Sequence, residues 1–253
     1  MRVDSIEAPE AVDAVMALAA PGDADEGVRS RADYVCAANV HMVMEAHDDA
    51  AFRAVVNGAA LVVPDGQPMV WALRALGLPQ RARVRMAPDL LLELVAACEA
   101  RHLKLGLYGG RPETLQVFVD HLQDHFPSLD IVYAWSPPFR PLTSEEDDAV
   151  VREANGAGVQ MLLVGIGCPK QEKWMAAHAE RLDCVMIGVG AAFDMLAGKT
   201  GDAPAWMRTR GREWTFRLGQ EPSRLWRRYL IQNPRFVTHF AAQVVRERFP
   251  RRG

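Results

Sequence analysis

Five short stretches of the 253-residue chain hold residue types whose spacing could do chemistry. Pro64-Asp65-Gly66 closes an apolar run with a carboxylate followed by a glycine that frees the backbone, so Asp65 is either a turn former or a charged group displayed at a strand end. Asn39 closes an earlier apolar run, where its amide could hold a sugar or base or could cap the following helix. Tyr108-Gly109-Gly110, followed by Pro112, could bring backbone N–H groups close to a phosphate at a helix start. Gly165-Ile166-Gly167-Cys168-Pro169-Lys170-Gln171-Glu172 is a small-residue turn whose helix opens with Lys170 and Gln171; the Cys-Pro after GxG departs from the dinucleotide fingerprint. The fifth stretch is the arginine-rich tail, in which Arg217, Arg224 and Arg227 are spaced by seven and three, so that in one continuous helix they share a face.

The elements that must position these residues follow from hydrophobic periodicity. Short apolar runs at 33–38, 60–63, 103–108, 129–134, 159–165 and 184–189 alternate with helically spaced stretches, among them 7–20, 88–101, 112–125, 144–155 and 169–181. Strand and helix taking turns predicts an α/β fold: an open, mostly parallel Rossmann-like sheet with flanking helices. In such sheets ligands bind beyond the carboxyl ends of the strands, which is where the unusual residues fall. From Ala205 the strand signal stops and an Arg- and Trp-rich helical stretch begins, with Pro222 and Pro234 as expected breaks. The expected division is an α/β body over residues 1–203 and a basic helical appendage over 204–253.

Charge supports that division. Residues 204–253 carry twelve arginines and three acidic residues, although the whole chain has a formal charge of −3. A basic segment on an acidic body suits phosphates or anionic lipid. The four scattered cysteines form no CxxC pair and have no histidine at metal-ligand spacing, which gives no disulfide framework and no zinc site. No apolar run approaches the length of a membrane span and the N-terminal residues lack a signal-peptide pattern, so the expectation is a soluble or peripheral protein in a reducing cytoplasm. Asp23-Ala24-Asp25 has the form of a metal-binding triplet but lies in an acidic loop away from the strand ends. The histidines have no HExxH or triad companions. Trp206, Trp214 and Trp226 are expected to pack in the core rather than serve as ligand platforms, although their Arg-rich flanks also suit a lipid interface.

Taken together, Asn39, PDG at 64–66, YGG at 108–110, PPF at 137–139, GIGCPKQE at 165–172, GVGAAFD at 188–194, AGKTGDAPAWM, EWTFRL and EPSRLWRRY resemble the WecG/TagA/CpsF glycosyltransferases over about residues 30–240. The resemblance implies an inverting, metal-independent transferase with no cofactor. It would move a hexosyl residue of N-acetylmannosamine or glucose type from a UDP-sugar to a polyprenyl-diphosphate-linked sugar in cell-surface polysaccharide or teichoic-acid-type synthesis. It places Asp65 as catalytic base and Arg217, Arg224 and Arg227 as arginines brought to the site by the appendage. Asn39, Tyr108, Gly109, Gly110, Gly165, Gln171 and Asp194 become substrate-binding positions. Arg83 matches a further pocket arginine, with Arg85 as the alternative because RARVRMAPD departs from the family's spacing. Ala37 stands where many members carry Thr, a lost hydroxyl that bears on donor choice.

The same resemblance implies a location at the inner face of the bacterial membrane, contact with anionic lipid through the C-terminal segment, and possible self-association; no nucleic-acid partner is expected. Arginine neutralisation of the departing diphosphate replaces a metal in this reading. Two alternatives stay open at this point, a nucleotide-dependent oxidoreductase on the same kind of sheet and a non-catalytic nucleotide-sugar-binding protein.

Overall fold

The computed structural model describes residues 1–20, 32–80, 84–198, 201, 203–204, 206–207 and 210–248, without the side chains of Arg224 and Arg248. Six strands form one sheet: β1 Tyr34–Ala38, β2 Leu61–Pro64, β3 Leu105–Gly109, β4 Ile131–Trp135, β5 Met161–Gly165 and β6 Val185–Gly188. Every pairing is parallel and the spatial order is β2-β1-β6-β5-β3-β4. The predicted strands are all present, each within two or three residues of its expected ends.

The inner strands read as unbroken apolar runs because both faces are covered. Val35, Ala37, Leu105, Leu107, Met161, Leu163, Val185 and Ile187 point to one layer of helices. That layer holds α1 Ala8–Ala19, α5 Leu91–Ala100, α6 Pro112–His125 and α9 Ala192–Leu196. Their sequence neighbours Cys36, Ala38, Tyr108, Leu162, Val164 and Met186 point to the other layer, made by α2 Val40–Asp48, α3 Ala50–Asn57, α7 Ser144–Gly156 and α8 Lys170–His178. The period-two alternation thus divides the core into two clusters, one on each side of the sheet.

This layering locates the ligand crevice. β3 and β5 are adjacent, yet the helix after β3, α6, lies on one face and the helix after β5, α8, on the other. Adjacent strands whose connections leave on opposite faces open a gap at their carboxyl ends, the switch point of an open α/β sheet.

Among the described residues the further helices are α4 Gln67–Ala75, α10 Glu213–Gln220, α11 Pro222–Arg227 and α12 Asn233–Arg248, with π-helical turns over Met86–Leu90, before α5, and over Arg228–Gln232, between α11 and α12. Phe236 of α12 packs with Val40 and Met44 of α2 and Met69 of α4. A polar strip beside it links Arg235 to Asp48 at 2.8 and 3.0 Å and Gln232 to Glu45 at 3.2 Å. Pro222 starts a new helix as expected, after Glu221 leaves the helical region at φ −132°, ψ 62°. Pro234 does not break the chain: it sits in the first turn of α12, directly after the π turn. Among the described residues no helix is long and apolar enough to cross a membrane.

Candidate active site

A cleft of about 1360 Å³ runs along the carboxyl ends of the strands, from Asp65 after β2 to Phe139 after β4. A smaller hollow of about 120 Å³ adjoins it, and Asn39, Asp65, Arg217 and Arg228 line both.

Asp65 is held from three directions. Its N–H donates to Ala38 O at 2.8 Å and the next N–H, of Gly66, donates to Val84 O at 3.0 Å. Gly66 has φ +90°, a conformation that favours glycine and lets the chain turn away directly after the carboxylate. Met86 N donates to Asp65 Oδ1 at 3.1 Å, while Oδ2 lies 3.5 Å from Asn39 Nδ2. No cationic side chain pairs with Asp65 among the described residues, and Asp65 lines the cleft. Asn39 caps α2, one of its two expected purposes: Oδ1 accepts from Met42 N at 3.2 Å, and the amide nitrogen lies toward Asp65.

The glycine-rich turns serve the sheet more than a ligand. Gly109 is not on the cleft wall; with φ +137°, a Cβ there would lie 2.4 Å from Gly165 O. Gly110 lines the cleft, but its N–H donates to Gly165 O at 3.2 Å and is not free for phosphate. Gly165 also lines it, with the Phe193 ring 3.1 Å from where a Cβ would stand. These three glycines let the ends of β3 and β5 close on each other at the switch point. Tyr108 reaches the cleft wall with its ring stacked on Trp174, centroids 4.3 Å apart, and burial pushes its phenol above the usual range.

Gln171 is 3% exposed at the cleft wall, and both ends of its amide are hydrogen-bonded within the protein. Oε1 accepts from Gly167 N at 3.2 Å and Gly190 N at 3.1 Å, and Nε2 donates to Glu172 Oε1 at 2.7 Å. It therefore clamps the turn after β5 to the turn after β6. Glu172 is wholly buried, which raises its carboxyl above the ordinary range, and Oε2 has no hydrogen-bond partner. Asp194, at the start of α9, lines the cleft near these turns.

The tail closes one side. Arg217 and Arg227 line the cleft, with Arg217 Nη2 2.8 Å from Glu213 Oε1 and 3.4 Å from Met195 Sδ. The break at Glu221 puts Arg217 on α10 and Arg227 on α11, so the shared face of one continuous helix is not how they meet. Arg224 belongs to α11, but its side chain lies outside the described residues, as do Arg83 and the Asp23-Ala24-Asp25 triplet. Arg85 is described and buried, bound to Asp89 Oδ1 and Oδ2 at 3.0 and 3.1 Å and 3.6 Å from Glu213 Oε2. It borders the smaller hollow, and Glu213 links it to Arg217.

Sequence reasoning missed Arg111, Arg140, His41, Arg228 and Gln232, all on the cleft wall. Arg111 stands over the ring of Phe139, which is 87% exposed, with its guanidinium 5.6 Å from the centroid. Arg228 directly follows Arg227, and no spacing rule separates two consecutive arginines. The described wall carries Arg111, Arg140, Lys170, Arg217, Arg227 and Arg228 against Asp65, Asp194 and Glu221, a cationic excess suited to a phosphoanion. No group of three metal-ligating side chains occurs among the described residues. In comparison with known proteins, the model of the glycosyl transferase WecG/TagA/CpsF family matches residues 1–250.

Proposed function

The chain belongs to the WecG/TagA/CpsF family of glycosyl transferases, and from that premise we propose that it transfers a hexosyl residue from a UDP-sugar to a polyprenyl-diphosphate-linked sugar, with inversion and without a metal. Membership sets aside the oxidoreductase alternative. The observation that carries the proposal is one carboxylate without a cationic partner among the described residues, Asp65, fixed by backbone at one end of a cleft whose described lining carries a cationic excess.

In this reading Asp65 takes the proton of the acceptor hydroxyl as that oxygen attacks the anomeric carbon. The new glycosidic bond forms as the bond from that carbon to the donor phosphate breaks, and the electron pair leaves with UDP. Arg217, Arg224 and Arg227 offset the charge gathering on the diphosphate, a task that guanidinium forks perform without a metal. Asn39 steadies Asp65; Tyr108, Gly110, Gly165 and Asp194 border the donor, and Gln171 shapes its floor. Residues 204–253 act as a unit that completes the site and meets anionic lipid at the inner face of the membrane, where the acceptor resides.

The test is a panel of UDP-sugars, with N-acetylmannosamine and glucose donors included, offered with lipid-linked N-acetylglucosamine and lipid-linked glucose. The expected result is UDP release matched by an inverted glycosidic product for one pair. Failure of every pair to give product in the presence of anionic vesicles would contradict the proposal.

A further inference from the structure

Among the described arginines of the tail, Arg228 combines partial burial with the lack of a partner, whereas Arg227 is exposed. Arg217 is paired with Glu213 and Arg235 with Asp48. For Arg228 there is neither an ion pair nor a hydrogen bond among the described residues, although it is half-buried. Among the described residues, Arg217 and Arg228 are the arginines that border both the large cleft and the smaller hollow beside Asp65. A partly desolvated guanidinium without a counter-ion is costly, and an anionic ligand offsets that cost.

Its backbone setting is equally unusual. Arg228 opens the π-helical turn that ends at Gln232. Pro234 lacks an N–H and cannot donate the α-register bond to Leu230, and the widened turn lies just upstream of it. Gln232, at the far end of the turn, is 2.8 Å from His41 Nδ1, which ties the turn to α2 across the cleft wall. Burial first, and then the Arg228 charge, lower the proton affinity of His41.

Building on the glycosyl-transfer reading, we propose that Arg228 is an anion-binding residue that grips a diphosphate group where the two hollows meet. A guanidinium at that seam can bind two phosphoryl oxygens as a fork, close to the carboxylate where the acceptor hydroxyl would be activated. The diphosphate belongs either to UDP or to the lipid-linked acceptor.

Calorimetric titration of the full chain with inorganic pyrophosphate, and then with UDP, tests this in Arg228→Gln and Arg228→Lys. Pyrophosphate Kd is expected to rise about tenfold or more in R228Q, the effect of one lost charge-assisted hydrogen bond. R228K should fall between R228Q and wild type, because lysine keeps the charge without the fork. A parallel rise in UDP Kd assigns the donor's diphosphate. Unchanged UDP binding with a raised KM for the lipid acceptor assigns the acceptor's. Wild-type constants for pyrophosphate, UDP and acceptor in R228Q overturn the proposal, and should R228Q not fold, wild-type constants in R228K do so. A wild-type chain that binds pyrophosphate through Arg228 but transfers no sugar would refute the glycosyl-transfer reading and leave this one standing.

Discussion

Replacing Gln171 with leucine separates wall-building from ligand contact. Leucine nearly matches the glutamine in volume, so the packing change is small. What is lost is three hydrogen bonds: those from Gly167 N and Gly190 N to Oε1, and that from Nε2 to Glu172. The two glycines line the cleft, so water can replace the amide oxygen at roughly 0.5–1 kcal/mol each. Glu172 fares worse, because it is wholly buried and its other oxygen already has no partner. Orphaning a buried acceptor costs roughly 1–3 kcal/mol, with Glu172 at the upper end. The expected loss is therefore about 4–5 kcal/mol, a large part of the roughly 5–15 kcal/mol that holds a domain folded. Urea unfolding should show a lowered midpoint at unchanged slope, and UDP affinity should fall because the turns after β5 and β6 are no longer tied. A loss under about 1 kcal/mol with UDP binding nonetheless weakened would refute the clamp and return Gln171 to direct ligand contact.

Gly109→Ala should destabilise by about 4 kcal/mol, since the added methyl meets Gly165 O at 2.4 Å and the residue's φ is +137°; thermal unfolding checks this, and a near-wild-type Tm would contradict the close approach of β3 and β5. Chelation with EDTA should leave the transfer rate unchanged, and a loss restored by Mg²⁺ or Mn²⁺ would contradict arginine neutralisation. Deletion of residues 204–253 should leave a UDP-binding body that neither sediments with anionic vesicles nor transfers sugar; transfer at the full-length rate would contradict the role given to the tail. Packing of Phe236 on Val40, Met44 and Met69 means that the deletion also bares an apolar patch, so the truncated body should be less soluble.

The sheet was legible because fully buried parallel strands leave an uninterrupted apolar signature, as in 161–165, and because Pro112 and Ser144 stand at helix starts. The site positions followed from strand ends. What could not be read was the direction of each group within the site. Gln171 sits in a motif that looks like a ligand loop, but its amide faces inward because two turn N–H groups and a buried carboxylate lie there, a meeting of residues distant in sequence. The glycines of 109–110 and 165 signal close approach, and the sequence gives no hint that the approaching atoms belong to another strand. The tail was hardest: a single nonhelical residue, Glu221, rotates Arg217 away from Arg227, and a π turn selects Arg228. Neither irregularity has a spacing signature.

The most direct test of the central claim is sugar transfer and UDP binding measured side by side in Asp65→Asn. Asparagine keeps the oxygen that accepts from Met86 N and the shape of the cleft but cannot take a proton at pH 7. UDP Kd is expected to match wild type while turnover falls by about 10²-fold or more, the usual range for losing a positioned general base. Near-wild-type turnover with intact UDP binding would contradict Asp65 as the base on which the proposed chemistry rests.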